Sequence, residues 1–172
     1  MNTFEELVSL LIEKQMTIAS AESCTGGLFA SHIVDVPDAS RVLNASVVTY
    51  SNAAKVRYAR VSYDTIEKFG AVSEQVAGEM AEGIALETSA NVGVSFSGVA
   101  GPTGGSKQKP VGTVCVGCYI EGKLWTHTFH LDPTLSRAEI REQSTILLAE
   151  KLLDFLNNLG WFETLCRDEL SK

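Results

Sequence analysis

The chain has 172 residues, 45% of them hydrophobic and 20% charged, with a formal net charge of −7. That length suits one domain with a genuine core, and the acidic balance argues against a general nucleic-acid binder, because phosphate backbones are held by concentrated Lys and Arg. The N-terminal MNTFEELVSLLIEKQ lacks a basic-then-apolar signal pattern, and no apolar run approaches the roughly 20 residues that span a bilayer, so a cytoplasmic protein without a membrane partner is expected.

The first predicted element is an amphipathic helix over residues 4 to 14, with Phe4, Leu7, Val8, Leu11 and Ile12 on one stripe. TIASAES follows as a short strand of small residues, then a helix over 27 to 35, a second strand VLNASVVTY, and helical turns in SNAAKVRYA and SYDTIEKFG. Ser73 caps a helix whose Val76, Ala77, Met80, Ala81, Ile84 and Ala85 recur at the 3.6 period. NVGVSFSG is the third strand, followed by the glycine-rich VAGPTGGSKQKP and a hairpin of VGTVCVGCYI and KLWTHTFHL across Glu121–Gly122. A capping box of Ser136 and Glu139 opens a long helix to about Asn158, with Leu147, Leu148, Leu152, Phe155 and Leu156 facing inward. Residues 1 to 159 are read as one domain and residues 160 to 172 as a tail, either an appendage or a segment packed on a partner.

Strands alternating with helices and ending in a hairpin predict a three-layer α/β/α sandwich around a mixed, mainly parallel sheet of about five strands. In such sheets ligands bind beyond the carboxyl ends of the strands. The loops ESCTGG, YSNAAK and GVAGPTGGSK should therefore meet.

Ser23 ends the first strand and precedes Cys24-Thr25-Gly26-Gly27, where a hydroxyl can attack a carbonyl while helix N-terminal N–H groups stabilise the oxyanion. The same residues would serve as an ordinary helix cap. Cys24 is a rival nucleophile, because a helix N-terminus lowers a thiol's pKa. His32 sits on a helix face between Leu28 and Phe29, and His127 shares a strand face with Trp125 and Phe129, so neither they nor His130 suit a Ser-His-Asp triad. The better base is Lys55, five residues after Tyr50, since a desolvated lysine can be neutral near pH 7. The alternative is an exposed lysine on a short helix.

The loop GVAGPTGGSK is not a P-loop, which would need glycine where Ser106 precedes Lys107; its N–H groups still suit an anion or oxyanion. Arg137 and Arg141 lie one turn apart at a helix N-terminus, where they oppose the macrodipole and repel each other. Both project along the side of Leu147, Leu148 and Phe155, toward the sheet. They need an anion: Glu139 or Glu142 in part, a bound phosphate or carboxylate better. Cys115 and Cys118, three apart on a strand, face opposite sides, so neither a metal nor a redox pair is expected there. Reduced, buried thiols are expected throughout.

TIASAESCTGG, VVTYSNAAK, FGAVSEQVA and SFSGVAGPTGGSKQKPVGTV are together similar to the CinA C-terminal domain family, over roughly residues 3 to 158. The family's characterised activity is nicotinamide-nucleotide amidase. The resemblance implies that Ser23 attacks, that Tyr50 and Lys55 assist it, and that the Gly98–Gly105 loop and Arg137 shape a nucleotide site without metal or other cofactor. The reaction implied is hydrolysis of nicotinamide mononucleotide to nicotinate mononucleotide and ammonia, in pyridine nucleotide recycling. On this reading Arg137, Arg141 and the loop positions Thr25, Gly26, Gly27, Gly98, Ala100, Gly101, Gly104 and Gly105 hold the substrate. The competing readings are a nucleotide-binding module with little turnover and an amidase for another phosphorylated amide. A homo-oligomer, with a dimer favoured, is expected. Two positions depart from the family's usual pattern: Leu135-Ser136 ahead of Arg137, and Glu142 after Arg141.

Overall fold

A computed structural model describes residues 1–171. In chain order it contains α1 (Thr3–Glu13), β1 (Ile18–Glu22), α2 (Leu28–Val34), a 3-10 turn (Ala39–Arg41), β2 (Leu43–Val48), α3 (Asn52–Ala59), α4 (Tyr63–Phe69), α5 (Glu74–Thr88), β3 (Val92–Gly98), β4 (Thr113–Ile120), β5 (Lys123–His130), α6 (Arg137–Asn157) and α7 (Leu159–Leu170). The strands form one sheet in the order β2-β1-β3-β4-β5. β2, β1 and β3 run parallel, and β4 is antiparallel to both β3 and β5. The expected mixed α/β/α sandwich is therefore the fold. The β4–β5 hairpin closes on Glu121 and Gly122, both at positive φ, the turn geometry that matches strand twist.

The two faces of the sheet are built differently. On one, α1, α2, α6 and α7 enclose large side chains, among them Leu7, Phe29, Phe96, Trp125, Leu152 and Phe155. On the other, Ala19 and Ala21 of β1 meet Val76, Met80 and Ile84 of α5. There the sheet offers almost no side chain. A Cβ on Gly93 would collide with the carbonyl of Ala81, and one on Gly117 with that of Ala77. This close approach lets the Ser95 hydroxyl donate to the Ala77 carbonyl and draws β1 and β3 tightly under α5. Small residues in TIASAES thus make a strand buried on both faces.

Both ends of the chain are tied in by local chemistry. Asn2 caps α1 by accepting from the N–H groups of Phe4 and Glu5, while Glu5 returns a bond to the Asn2 N–H. The capping box read at Ser136 and Glu139 opens α6. The tail departs from its expected role: Asn158 accepts from the Trp161 N–H and starts α7, which folds back on this chain's own core. Phe162 and Cys166 are buried there, and the Phe162 ring lies 4.6 Å from that of Phe155. Among the described residues no helix is long and apolar enough to cross a membrane.

Candidate active site

The loops after β1, β2 and β3 converge on a cleft of about 290 Å³. Ser23, Tyr50, Lys55, Gly98, Ala100, Gly104 and Arg137 line it. Gly26 and Gly27 at positive φ let the chain double back after Ser23 before α2 starts. Ser51 caps α3 by accepting from the Ala54 N–H, which sets the helix so that Lys55 turns inward beneath Tyr50.

Lys55 is the decisive group. Its side chain is almost wholly buried, with 2% of the residue exposed. The ammonium Nζ lies 3.0 Å from Ser23 Oγ, 2.8 Å from the Thr49 carbonyl and 3.5 Å from that of Tyr50. Among the described residues the only ion pairs are His32–Glu142 and Arg60–Glu87, so no carboxylate compensates Lys55. Desolvation without a counter-ion lowers its pKa from the ordinary lysine value. The arrangement can take a proton from a hydroxyl. The alternative of an exposed lysine is excluded by the burial.

Cys24, the rival nucleophile, is 6% exposed, and burial pushes its thiol up to about 12. Burial outweighs the lowering expected from a helix N-terminus, and the nearby Glu22 carboxylate adds to the rise. The N–H groups of Gly27, Phe29 and Ala30 are already engaged by the carboxylate of Glu22, at 3.1, 3.1 and 3.0 Å. Sequence reading missed Glu22, although a lone acid at the end of an otherwise small, apolar strand is itself a signal.

The two arginines have different surroundings. Arg137 reaches the cleft mouth, where Nη1 donates to the Gly101 carbonyl at 2.8 Å and Nη2 to the Tyr50 hydroxyl at 3.0 Å. Arg141 lies behind the Ser23 turn instead. Its Nε donates to the Cys24 carbonyl at 3.1 Å and its Nη2 to that of Thr25 at 2.8 Å, so backbone carbonyls engage two of the donors expected to face an anion. Neither pairs with the acids that sequence offered: Glu139 bonds the Ser136 N–H, and Glu142 meets His32 at 3.0 Å. Thr25, Gly26 and Gly27 shape the turn without lining the cleft, and Gly105 packs toward Val111. Asn52, Ser97 and Thr103 do line it and were not singled out from sequence; Ser97 also donates to the Ala71 carbonyl at 2.7 Å, fixing the opposite wall.

Larger grooves run between α1 and α6, about 510 Å³, and beside β4 and β5, about 600 Å³, but neither holds a nucleophile bonded to a base. Among the described residues no group of three or more His, Cys, Asp or Glu converges on a point that could hold a metal ion. His127 stacks on Trp125 and packs edge-on to Phe129, and the four cysteines are free and buried.

A family model described as the CinA C-terminal domain matches residues 2–156. The chain belongs to that family. A putative competence-damage inducible protein of Clostridium novyi is 46% identical over 151 residues, covering 87% of this chain and 36% of the relative. A CinA-like protein of Desulforapulum autotrophicum is 57% identical over 113 residues, 66% of this chain and 27% of its own. The chain thus spans about a third of the length of the curated relatives it matches. Among solved structures it is similar to the competence/damage inducible protein CihA of Agrobacterium tumefaciens, with TM-score 0.84 and 36% identity over 92% of this chain and 98% of that one. It is also similar to a CinA superfamily protein of Escherichia coli, with TM-score 0.83 and 32% identity over 88% and 87% of the two chains.

Proposed function

We propose that this CinA-family domain is a serine amidohydrolase that converts nicotinamide mononucleotide to nicotinate mononucleotide and ammonia. The observation that carries the reading is the buried Lys55 amine 3.0 Å from Ser23 Oγ, with no carboxylate to hold it charged. Neutral Lys55 accepts the Ser23 hydroxyl proton as Oγ attacks the carboxamide carbon. The resulting ammonium returns that proton to the departing nitrogen, so ammonia leaves and an ester to Ser23 remains. Water then attacks the ester while Lys55 takes its proton and passes it back to Ser23 Oγ, releasing the carboxylic acid. Tyr50, with its hydroxyl on Arg137, closes the cleft mouth. Arg137 is the cation placed to meet the ribose 5′-phosphate, exchanging a carbonyl and a phenol for a stronger charge-assisted partner.

The test is ammonia release from nicotinamide mononucleotide by the parent, Ser23→Ala and Cys24→Ala proteins. Turnover should vanish in the serine variant and persist in the cysteine variant. A parent that binds the nucleotide but releases no ammonia would instead be a binding module, and one that prefers another phosphorylated amide would keep the chemistry and change the substrate.

A further inference from the structure

We propose that Glu22 is the positioning residue of the turn that carries Ser23, holding the serine against Lys55 and keeping the Cys24 backbone N–H open for the reacting carbonyl. The inference rests on the amidase reading for its kinetic consequences only. Glu22 is the last residue of β1 and is 0% exposed. It has no cationic partner among the described residues. A carboxylate that far from water persists only if hydrogen bonds replace its hydration. Four are present. Oε2 accepts from the N–H groups of Gly27 and Phe29, and Oε1 from the Ala30 N–H and, at 3.1 Å, from the Ser20 hydroxyl.

The donors come from the far side of the turn, five to eight residues ahead in the chain. Glu22 therefore closes residues 22 to 30 into a ring with Ser23 inside it. Nothing else performs this closure, because α2 starts from Gly27, which has no side chain to cap it. Arg141 grips the same turn through its carbonyls, at Cys24 and Thr25. With donors held by Glu22 and carbonyls held by Arg141, the backbone accounting of the turn is nearly complete. The Ser23 N–H bonds the Phe96 carbonyl, that of Gly26 the Ser23 carbonyl, and that of Leu28 the Thr25 carbonyl. Within the turn only the N–H groups of Cys24 and Thr25 have no acceptor among the described residues, and of these two residues Cys24 alone lines the cleft. An oxyanion formed by attack of Ser23 requires such donors. The α2 donors do not supply them, because an internal carboxylate already occupies them.

Both oxygens of Glu22 accept backbone N–H groups, so an amide cannot replace the carboxylate: its NH₂ would face the Ala30 N–H in one orientation and those of Gly27 and Phe29 in the other. Glu22→Gln is the primary test, on the full chain. Glu22 does not line the cleft, so KM for nicotinamide mononucleotide should stay within about threefold of the parent while kcat falls roughly 10- to 100-fold, the effect of a small displacement of the reacting atoms. Sulfonylation of Ser23 by phenylmethanesulfonyl fluoride, followed by mass spectrometry, should slow by a similar factor, and the amides of Gly27, Phe29 and Ala30 should exchange hydrogen faster. A folded Glu22→Gln protein whose kcat and sulfonylation rate lie within about twofold of the parent overturns the proposal. If that variant does not fold, Ser20→Ala decides. It removes one donor from Oε1, and should lower kcat and the sulfonylation rate several-fold, leave KM unchanged, and speed exchange at Ala30. Unchanged rates and exchange in Ser20→Ala also overturn the proposal. A parent that is sulfonylated at Ser23 yet releases no ammonia sinks the amidase reading alone, and the sulfonylation comparison then decides the role of Glu22.

Discussion

A lysine amine is useful as a base only when its proton is easily lost, and burial of Lys55 away from any carboxylate meets that condition. Lys55→Ala should lower kcat by about 10²–10⁴-fold with a smaller effect on binding, measured by steady-state kinetics. The same shift has a signed consequence for stability. The folded-state pKa lies below the unfolded value of about 10.4, so between the two the unfolded chain binds more protons than the folded one. Stability should therefore rise with pH across that window. In Lys55→Met the rise should be lost, with no loss of stability at pH 7, as read from urea midpoints at pH 7 and pH 10. The arginines should separate in the same assays. Arg137→Ala should erase much of the preference for nicotinamide mononucleotide over nicotinamide riboside, each charge-assisted bond being worth about 1.5–3 kcal/mol. Arg141→Ala should reduce kcat for both substrates alike, because its bonds are to the Cys24 and Thr25 carbonyls.

At the scale of elements, the position of the cleft depends on how closely α5 lies on the sheet. Gly93 and Gly117 leave room for the helix backbone itself, and no rotamer change can relieve a Cβ that meets a carbonyl. Gly117→Ala should destabilise the fold by about 1–3 kcal/mol, since its Cβ would meet the Ala77 carbonyl and crowd the Ser95 hydroxyl that bonds it. Thermal unfolding of the variant checks this; an unchanged midpoint would mean that the α5 interface yields more easily than its packing implies. Asn158 acts at this scale too, because its side chain begins α7 where the sequence reading ended the last helix and placed a tail.

For the molecule as a whole, α7 completes one face of the core rather than hanging from it. Phe162 is 1% exposed and packs on Phe155, which in turn meets Trp125 edge-on at 4.9 Å. A chain truncated after Asn158 should lose stability on the order of 3–5 kcal/mol, the cost of removing one large buried aromatic, and should melt earlier. Its kinetics at low temperature should be little altered, because no α7 residue lines the cleft. A truncated protein that keeps its melting point would return α7 to the status of an appendage.

The sequence by itself determined the order of elements through α6, the mixed sheet and the meeting of three loops beyond β1, β2 and β3. These follow from short-range periodicity, capping and the chirality of strand–helix alternation, all of which are written locally. The glycines of AESCTGG and the Ser136 capping box were readable for the same reason. Tertiary structure decided what each polar group faces. Whether Lys55 is exposed or buried depends on packing around α3, and whether a helix N-terminus is free depends on a carboxylate at the end of β1. Arg137 and Arg141 share a charge, a helix and a face, yet one opens on the cleft and the other on the back of the Ser23 turn. Helical spacing fixes the direction of a side chain and is silent about its partner. That partner belongs to another element, and here it sets the chemistry.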